Sequence, residues 1–455
     1  MENSQTYDFV IIGGGQAGIP LAYALAGDGR SVALAESKCL GGSCVNYGCS
    51  PTKAAIASAR VAHQARRAPE FGLEIPDVRV DFPGVLERAK GIVEMKRSGL
   101  YKGFEGSGNP VLIEGHARFE EKTDDGFRLS VGERSVVARQ VVINTGAKSS
   151  VPPIGGLENV EYISSENWLD HTELPEHLAV VGGGYIGLEM AQFYLRMGSR
   201  VTVVVGNSGQ VLGNEDDDVA EAMKNILEEE GIEFVFEARA EKVEKSGGGI
   251  SLTLDTGRGI NCSDILVATG RKPNTDGLGL ENIGLETGDG GVIEVDERLA
   301  TSVEGVWAAG DVRGGPMFTH TSYDDNIVLA SQITGDGSRT TDRVVPYAVF
   351  TDPDLGRAGM TEKEAREAGY DIEVMTFDVK NDGKATEIGE TKGLIKVVAD
   401  KSNDRILGAA VLAHEGAELV HTYIALMNAD APYTVIRDAV HIHPTISESI
   451  QSVVA

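Results

Sequence analysis

The chain has 455 residues, of which 41% are hydrophobic and 24% are charged, as expected for a globular protein of two to four domains. Its 69 acidic residues outnumber its 41 basic residues, and the formal net charge of −28 argues against nucleic acid or anionic lipid as a partner because such a surface repels phosphate. No signal peptide and no apolar run of membrane-spanning length is found, so we expect a cytoplasmic protein that does not enter a membrane.

The first predicted elements are a strand, a turn and a helix typical of a dinucleotide-binding unit. The apolar run Phe9 to Ile12 enters GGGQAG, which places Gly13, Gly15 and Gly18 in G-x-G-x-x-G spacing. These glycines allow a tight turn, backbone contact with a pyrophosphate and close packing of helix on strand. Glu36 lies eighteen residues past Gly18, after a second strand, where a carboxylate can accept hydrogen bonds from ribose hydroxyls.

Two cysteines, Cys44 and Cys49, follow in the sequence GGSCVNYGCSPTK. One turn of the intervening residues would bring their sulfurs to bonding distance. Two unrelated core thiols are the alternative, but the position directly after a dinucleotide unit favours a redox-active disulfide. A predicted helix from Pro51 to Arg67 places the pair at a helix N-terminus, where the helix dipole and Lys53 are expected to lower the pKa of a thiol.

Short alternating runs between Asn109 and Ile143 predict antiparallel strands that end at Thr145 and Gly146. A turn of this composition often approaches a cofactor, although an ordinary strand-to-loop turn is the alternative.

The strand, turn and helix then recur at a constant offset of 169 residues. The strand Ala179 to Val181 leads into GGGYIGLE, with Gly182, Gly184 and Gly187 at the same spacing, and a second strand spans Arg200 to Val205. Two dinucleotide sites in one chain predict electron transfer between two bound cofactors.

The second unit lacks the ribose-binding acid, because the offset aligns Glu36 with Val205. The next residues, Gly206, Asn207 and Ser208, carry no charge. NAD selection normally uses the acid and NADP selection an arginine. Absence of the acid removes repulsion of a 2′-phosphate, so we favour NADPH over NADH.

A strand over Ile265 to Thr269 closes this unit, with Gly270 and Arg271 at its end. Further along, Asp311 follows Gly310 after a buried strand. Its carboxylate could accept a hydrogen bond from a ribityl or ribose hydroxyl, or it could be an ordinary turn aspartate.

From Asp342 onward strands and amphipathic helices alternate in an α+β unit without a nucleotide signature. The unit ends in HIHPTISESI, in which Glu448 follows His443 by five residues on the first turns of a helix. A histidine held by a carboxylate is a proton-transfer unit.

These motifs, together with ATGRKPNT, AAGDV and FTDPDLGRAGMTE, resemble in content and order the class I pyridine nucleotide–disulfide oxidoreductases. The resemblance implies an α/β fold with two Rossmann-like domains, for FAD and NAD(P), and a C-terminal α+β dimerisation domain. It divides the chain into residues 1–150 (FAD), 151–272 (NAD(P)), 273–341 (a return to the FAD-binding part) and 342–455 (the interface). It also implies a homodimer whose active site is shared between subunits.

The resemblance further implies roles for individual residues. The residues that bind FAD would be Gly13, Gly15, Gly18, Glu36, Gly42, Ser43, Thr145, Gly146, Gly310 and Asp311. Those that border the nicotinamide nucleotide would be Gly182, Gly184, Gly187, Glu189 and Gly270. Lys53 would pair with Glu189 beside the flavin, Cys49 would contact the flavin, and Cys44 would attack the substrate. His443 and Glu448 would be the acid–base pair that each subunit contributes to the active site of its partner. No resident metal is expected.

The implied reaction transfers electrons from NADPH or NADH by way of FAD to a Cys44–Cys49 disulfide and then to a substrate disulfide, or the reverse. HIHPTISE resembles dihydrolipoamide dehydrogenase, and no cysteine follows Cys262, whereas mercuric reductases end in a cysteine pair. KAAIASARVAHQARR and MFTHTSYDD instead resemble the mercuric reductase and chlorine-resistance branches. A metal-ion reductase therefore remains an alternative, as does a non-catalytic flavoprotein subunit.

The two remaining cysteines have no predicted catalytic role. Cys39 could add a third soft ligand near the pair or could simply be packing, and Cys262 is interpreted as packing.

Overall fold

The computed structural model describes residues 5–206 and 208–455. It divides into two compact units, which are described separately. The first unit contains the segment up to Ala54 together with Glu87–Ser150 and Arg271–Arg343. The second unit contains Ala55–Leu86, Val151–Gly270 and Val344–Ala455.

The helices and strands of the described residues are numbered in chain order. The helices are α1 (Gly18–Gly27), α2 (Gly42–Asn46), α3 (Cys49–Arg66), α4 (Phe82–Phe104), α5 (Tyr185–Met197), α6 (Asp217–Glu230), α7 (Thr319–Thr334), α8 (Glu362–Glu367), α9 (Gly383–Glu387), α10 (Gly416–Leu419), α11 (His421–Asn428), α12 (Thr434–Arg437) and α13 (Ser447–Ser452). The strands are β1 (Gln5–Ile12), β2 (Val32–Glu36), β3 (Val111–Glu114), β4 (Ala117–Thr123), β5 (Gly126–Val131), β6 (Arg134–Ile143), β7 (Ala147–Ser149), β8 (Ile163–Ser164), β9 (His177–Val181), β10 (Arg200–Val204), β11 (Glu233–Val235), β12 (Ala240–Ser246), β13 (Gly249–Leu254), β14 (Gly259–Cys262), β15 (Asp264–Val267), β16 (Arg271–Pro273), β17 (Val306–Ala308), β18 (Pro346–Val349), β19 (Asp354–Gly359), β20 (Ile372–Asp378), β21 (Leu394–Asp400) and β22 (Arg405–Ala413).

The first unit is built on a seven-stranded sheet in the order β3-β2-β1-β6-β5-β4, with β17 also paired to β6. Strands β1, β2, β3, β6 and β17 are parallel, and β1 is apolar and buried along Phe9 to Ile12, as in a sheet covered on both faces. The prediction of antiparallel strands from Asn109 to Ile143 is confirmed for β4, β5 and β6 but is wrong for β3, which pairs in parallel with β2. Alternation in the sequence does not encode strand direction, and the crossover through a helix, α4, brings β3 back in parallel.

The second unit contains a parallel sheet in the order β11-β10-β9-β15-β8, flanked in the chain by α5 and α6. An antiparallel three-stranded sheet, β12-β13-β14, is inserted between β11 and β15. The C-terminal part is a five-stranded antiparallel sheet, β18-β19-β22-β21-β20, followed by the short helices α10 to α13. The mixed sheet of the first unit, the parallel sheet of the second unit and the antiparallel C-terminal sheet fit the expected α/β fold with a C-terminal α+β domain. The finer domain boundaries remain predictions.

Helix α3 begins at Cys49 rather than at Pro51. Proline is tolerated in the first turn of a helix, where its missing N–H has no partner to lose. Cys49 therefore lies at a helix N-terminus, and Cys44 lies in the preceding short helix α2. Within the part of the chain that the structure describes, no helix is long and apolar enough to cross a bilayer.

Candidate dithiol and dinucleotide sites

The first glycine-rich turn is closed by a residue that the motif does not include, Asn144. Its Oδ1 accepts a hydrogen bond from the Gly18 N–H at 2.9 Å, and its Nδ2 donates to the Ala309 carbonyl at 2.8 Å. Gly13 has a φ of +109°, and a Cβ there would lie 2.2 Å from the Asn144 carbonyl oxygen. A Cβ at Gly18 would lie 2.1 Å from the Gly13 oxygen, so both positions require glycine. The only sequence signal for Asn144 is its place just before Thr145 and Gly146.

Glu36 is positioned at the end of β2 by two backbone N–H groups. Its Oε2 accepts from Gly14 at 2.8 Å and its Oε1 accepts from Lys38 at 2.7 Å. A carboxylate has about four acceptor sites, so capacity remains for ribose hydroxyls. The Glu36 carboxylate therefore lies against the turn that would hold the pyrophosphate.

Asp311 lies in a short turn after β17 and is mostly buried. Its carboxylate is 2.7 Å from the guanidinium of Arg271. The preceding Gly310 has a φ of +74° and donates its N–H to Asp325 at 2.8 Å. Asp325 is fully buried and is bound by the guanidinium groups of Arg313 and Arg343, which fix this turn.

These residues fit a bound FAD. The hydroxyl oxygen of Thr145 is buried and has no hydrogen-bond partner among the described residues, so it is available to a ligand. Gly15 has no side chain, so a ligand can approach its backbone. A larger residue there would carry a Cβ only 3.1 Å from Asn144 Oδ1. A glycine turn at a helix N-terminus, an acid at the next strand and an unpartnered hydroxyl match the needs of a dinucleotide.

The cysteine segment is packed directly against this turn. Gly42, the first residue of α2, has a φ of +60°, and a Cβ there would lie 3.1 Å from the Cα of Gly15. Ser43 and Cys44 follow in α2. Cys49 Sγ is 3.2 Å from the hydroxyl oxygen of Thr319, the first residue of α7. Cys44 is half-buried and Cys49 is exposed.

The two cysteine side chains interact as a reduced pair. The pKa of Cys44 is raised, first because its thiol is hydrogen-bonded to Cys49, then by burial and by the charge of Cys49; Thr319 and Lys96 act in the opposite direction. The expectation of a low thiol pKa is therefore wrong for Cys44, because sharing a proton with a neighbouring sulfur outweighs the helix N-terminus and nearby cations.

The second glycine-rich turn, in the second unit, repeats the geometry of the first. Gly182 has a φ of +122°, and a Cβ there would lie 2.3 Å from the Ala268 oxygen. A Cβ at Gly187 would lie 2.0 Å from the Gly182 oxygen. Gly184 is the N-cap of α5, and a Cβ there would meet no described atom within 4 Å. Gly184 thus leaves space for the pyrophosphate of a nucleotide.

The residue aligned with Glu36 is Val205, which is buried and packs against Gly183. Asn207 lies outside the described residues. At the same edge of this sheet, after the carboxyl end of β15, Gly270 has a φ of +114°.

Glu189 is buried in α5 and accepts the Phe350 N–H at 2.9 Å. The predicted pairing of Lys53 with Glu189 would join the two units and remains a prediction.

His443 and Glu448 are brought together in the second unit. His443 Nδ1 is 3.1 Å from both carboxylate oxygens of Glu448, although His443 precedes α13 and only Glu448 lies in its first turn. The backbone N–H of Thr445 and the His443 ring lower the pKa of Glu448. The His443 side chain is 79% exposed. An ionised carboxylate therefore orients an imidazole whose other nitrogen is free to face solvent or a partner.

The remaining cysteines and acids are accounted for by packing and ion pairs. Cys262 is buried in a hydrophobic cluster, and Cys39 is half-buried near Asn46. One set of described side chains, Asp352, Glu390 and His414, has donor atoms close enough to hold a metal ion. Its carboxylates are, however, already paired with arginines, Asp352 with Arg60 and Arg196 and Glu390 with Arg67.

Two family descriptions match consecutive parts of the chain. Residues 7–325 match pyridine nucleotide-disulphide oxidoreductase, and residues 345–454 match the dimerisation domain of the same enzymes. The chain belongs to this family. It is a flavoprotein enzyme that uses FAD and a nicotinamide nucleotide, NADH or NADPH, and it acts on sulfur groups.

Individual relatives span the full length of the chain. The probable pyridine nucleotide-disulfide oxidoreductase RclA of Escherichia coli is 35% identical over 98% of both chains. The Cu(II) complex of RclA, a HOCl-induced flavoprotein disulfide reductase, aligns with a TM-score of 0.89 over 99% of both chains at 34% identity. A mercuric reductase of Streptomyces lividans is 33% identical, over 98% of this chain and 95% of its own. Dihydrolipoyl dehydrogenase 2 of Haloarcula marismortui is 34% identical, over 98% and 96%.

Proposed function

We propose that this flavoenzyme is an NAD(P)H:disulfide (dithiol) oxidoreductase of dihydrolipoamide dehydrogenase type, with Cys44 and Cys49 as its redox-active pair. The observation that carries the proposal is the placement of this pair. Cys44 and Cys49 share a hydrogen bond, and the helix that holds Cys44 begins at Gly42, in contact with the first glycine-rich turn. A dithiol beside a dinucleotide turn is positioned to exchange electrons with the cofactor.

The residues of this chain that would hold the cofactors are those of the two turns. The glycines, Glu36, Thr145 and Asp311 would bind FAD, and Gly182, Gly184, Gly187, Glu189 and Gly270 would border the nicotinamide nucleotide. FAD, when bound, supplies the two-electron exchange between the nicotinamide and the dithiol. Lys53 and Glu189 would tune that exchange as a buried ion pair.

The reduced pair would act on a substrate disulfide in two exchanges. Cys44, after losing its proton to His443 of the partner subunit, attacks one substrate sulfur, and the other sulfur leaves and takes the proton back from that imidazole. Cys49 then gives up its own proton and attacks the Cys44 sulfur, which re-forms the Cys44–Cys49 disulfide, and the second substrate sulfur leaves and takes the proton that Cys49 has lost. Glu448 keeps the imidazole oriented throughout.

The raised pKa of Cys44 supports a role for His443 as base before it acts as acid. In the opposite direction the same groups would oxidise a dithiol. The family's dimerisation domain spans residues 345–454, which gives a homodimeric arrangement; a site shared between its subunits is part of the proposal.

The decisive test is Cys44→Ala. We expect lipoamide-dependent NAD(P)H oxidation to be lost, because the attacking sulfur is gone, while diaphorase activity with an artificial acceptor continues. The second activity shows that the flavin is still loaded and reduced. Undiminished lipoamide turnover in the variant would refute the assignment of Cys44.

Reduction of a metal ion by the same dithiol is the second candidate. It is favoured by the similarity to mercuric reductase and by the Cu(II) complex of RclA. Against it, the segment HIHPTISE resembles dihydrolipoamide dehydrogenase. Assaying NAD(P)H oxidation with lipoamide, glutathione disulfide, Hg(II) and Cu(II) side by side would separate the two, and a spectrum unchanged by NAD(P)H would favour a non-catalytic flavoprotein.

A further inference from the structure

The segment that holds the two cysteines differs in charge from the chain as a whole. The chain has 69 acidic and 41 basic residues, yet no aspartate or glutamate occurs between Ser37 and Pro69, whereas several lysines and arginines do. Helix α4, which contacts this segment, holds more basic than acidic residues. The dithiol therefore lies in a basic region of an acidic protein, and such a region raises the local concentration of anions.

Two neighbouring cations on α4, Lys96 and Arg97, contact the cysteine segment directly. The Lys96 ammonium donates to the hydroxyl of Ser50, in the first turn of α3, at 2.9 Å. The Arg97 Nε donates to the Oδ1 of Asn46, the last residue of α2, at 2.8 Å. All of these residues belong to the first unit. One cation is therefore bound to each of the two helices that hold a cysteine of the pair.

The charges of these two cations are not neutralised by the protein. Neither Lys96 nor Arg97 forms an ion pair with a carboxylate of the described residues. Glu94 lies two positions before Lys96 on α4, a spacing at which helix side chains do not face each other. Lys96 is exposed, whereas Arg97 is half-buried. An ammonium has three donors and Ser50 accepts from only one, so Lys96 can bind an incoming anion.

The surface beside Lys96 has room for the rest of such a ligand. Gly99 lies one turn further along the same face of α4, and a Cβ there would meet no described atom within 4 Å. Met95 is 66% exposed, so its apolar side chain can contact a carbon chain. The charge of Lys96 also opposes the rise in the pKa of Cys44, so the ammonium acts on the sulfur proposed to attack the substrate.

We propose that the disulfide substrate of this enzyme carries a carboxylate, and that Lys96 binds this carboxylate while Cys44 attacks the disulfide. The dithiol gives two electrons and two protons to the substrate, whose disulfide becomes two thiols, and the Cys44–Cys49 disulfide forms. Lys96 determines specificity and takes no part in the electron transfer. This inference rests on the proposed function and narrows its substrate to an anionic class.

The first test measures how the charge of a disulfide reagent affects its reaction with Cys44, without any turnover. Cys49→Ser holoenzyme is reduced, freed of reductant and mixed with dithiobis(nitrobenzoate), an anion, or with dithiodipyridine, which is neutral. The rate of Cys44 modification is followed by fragment mass spectrometry, which separates Cys44 from Cys39. A change in the pKa of the thiol affects both rates, so the ratio of the two rates reports the charge of the reagent.

Adding Lys96→Met should lower the ratio of the anionic to the neutral rate by about fivefold, as expected for one charge at contact distance in water. Lys96→Arg, which keeps the charge, should preserve most of the ratio. Lys102→Met, in the last turn of α4, removes the same charge further along the helix and is the matched control. Added salt should lower the ratio of the parent protein toward that of Lys96→Met. Flavin absorbance shows that each variant is folded, and Lys96→Gln replaces the methionine variant if that protein does not bind flavin.

The second test uses turnover by protein with both cysteines. Lys96→Met should lower kcat/KM for lipoate severalfold and leave kcat/KM for lipoamide, its neutral amide, unchanged. An equal loss with both substrates would overturn the proposal, as would equal reagent ratios in Lys96→Met and Lys102→Met. The reagent rates do not depend on the enzyme's substrate. Full lipoamide turnover by Cys44→Ala would therefore refute the proposed function without changing the reagent ratio, and an unchanged ratio would refute this inference without affecting the proposed function.

Discussion

A buried acid in the second unit shows how strongly packing changes the chemistry of a single side chain. Glu215 is 6% exposed, accepts a hydrogen bond from the Tyr347 hydroxyl and lies 3.6 Å from the guanidinium of Arg357. Burial is the largest effect and raises the pKa of Glu215 to about 7, even though Arg357 opposes it. Arg357 is itself buried, and its two terminal nitrogens have no hydrogen-bond partner among the described residues.

This acid predicts a pH dependence of stability. In the unfolded chain the pKa of a glutamate carboxyl group is about 4.3. Between that pH and the folded pKa of about 7, Glu215 is protonated in the folded protein but ionised in the unfolded chain. Stability therefore falls as pH rises through this window. The midpoint of thermal unfolding should drop more steeply in the wild type than in Glu215→Gln, which cannot titrate. The control is Glu221→Gln at an exposed position, and its unfolding midpoint should change with pH as in the wild type. If the midpoints of the wild type and Glu215→Gln change in parallel with pH, the prediction is wrong.

In the turn before α5, we expect Gly184 to be required for nucleotide binding but not for folding. Gly184 has a φ of −80°, which alanine can adopt, and a Cβ there meets no described atom within 4 Å. Gly184→Ala should leave thermal unfolding unchanged and raise the KM for NAD(P)H by at least about tenfold, because the methyl group occupies the approach of the pyrophosphate. Gly27→Ala, at an equally open position in α1, is the control. An unchanged KM would mean that the nucleotide does not approach Gly184.

The end of β10 offers a test of coenzyme choice. In the first unit Glu36 reaches the N–H of Gly14, and in the second unit Val205 packs on the corresponding Gly183. We expect the wild type to have a higher kcat/KM with NADPH than with NADH. Val205→Glu should shift the ratio toward NADH by about tenfold, since a carboxylate repels a 2′-phosphate and accepts from ribose hydroxyls. The control is Val205→Gln, whose side chain has the size of glutamate but no charge. An equal shift of the kcat/KM ratio in that variant would exclude the electrostatic explanation.

The features that the sequence predicts involve residues close together in the chain, whereas the features that it misses involve residues far apart. The glycine turns, the acid at the end of β2 and the cysteines in α2 and at the start of α3 are local patterns, and each lies where its spacing places it. Asn144, Thr319 and Lys96 are more than forty residues from the groups they contact, and none has a local pattern. The raised pKa of Cys44 also depends on a neighbour across a turn, so helix position alone gave the wrong direction.

On the scale of the whole molecule, the end of the chain presents a surface that suits a partner subunit. His443 is 79% exposed, and two nearby apolar residues, Val440 and Ile442, are 100% and 79% exposed. Exposed apolar side chains in a group mark an interaction surface. These residues lie within the part of the chain that matches the family's dimerisation domain. In the proposed homodimer a second subunit would cover the His443–Glu448 pair.

Subunit exchange tests whether each active site draws Cys44 from one subunit and His443 from the other. The homodimers of Cys44→Ala and of His443→Gln should each lack disulfide turnover. In a heterodimer one site carries both defects and the other carries neither, so an equal mixture, after dissociation and reassociation, should recover about a quarter of wild-type activity. If instead each subunit supplied its own Cys44 and His443, both sites of the heterodimer would be defective and no activity would return. Mixing each variant with itself is the control, and diaphorase activity confirms that flavin is retained throughout.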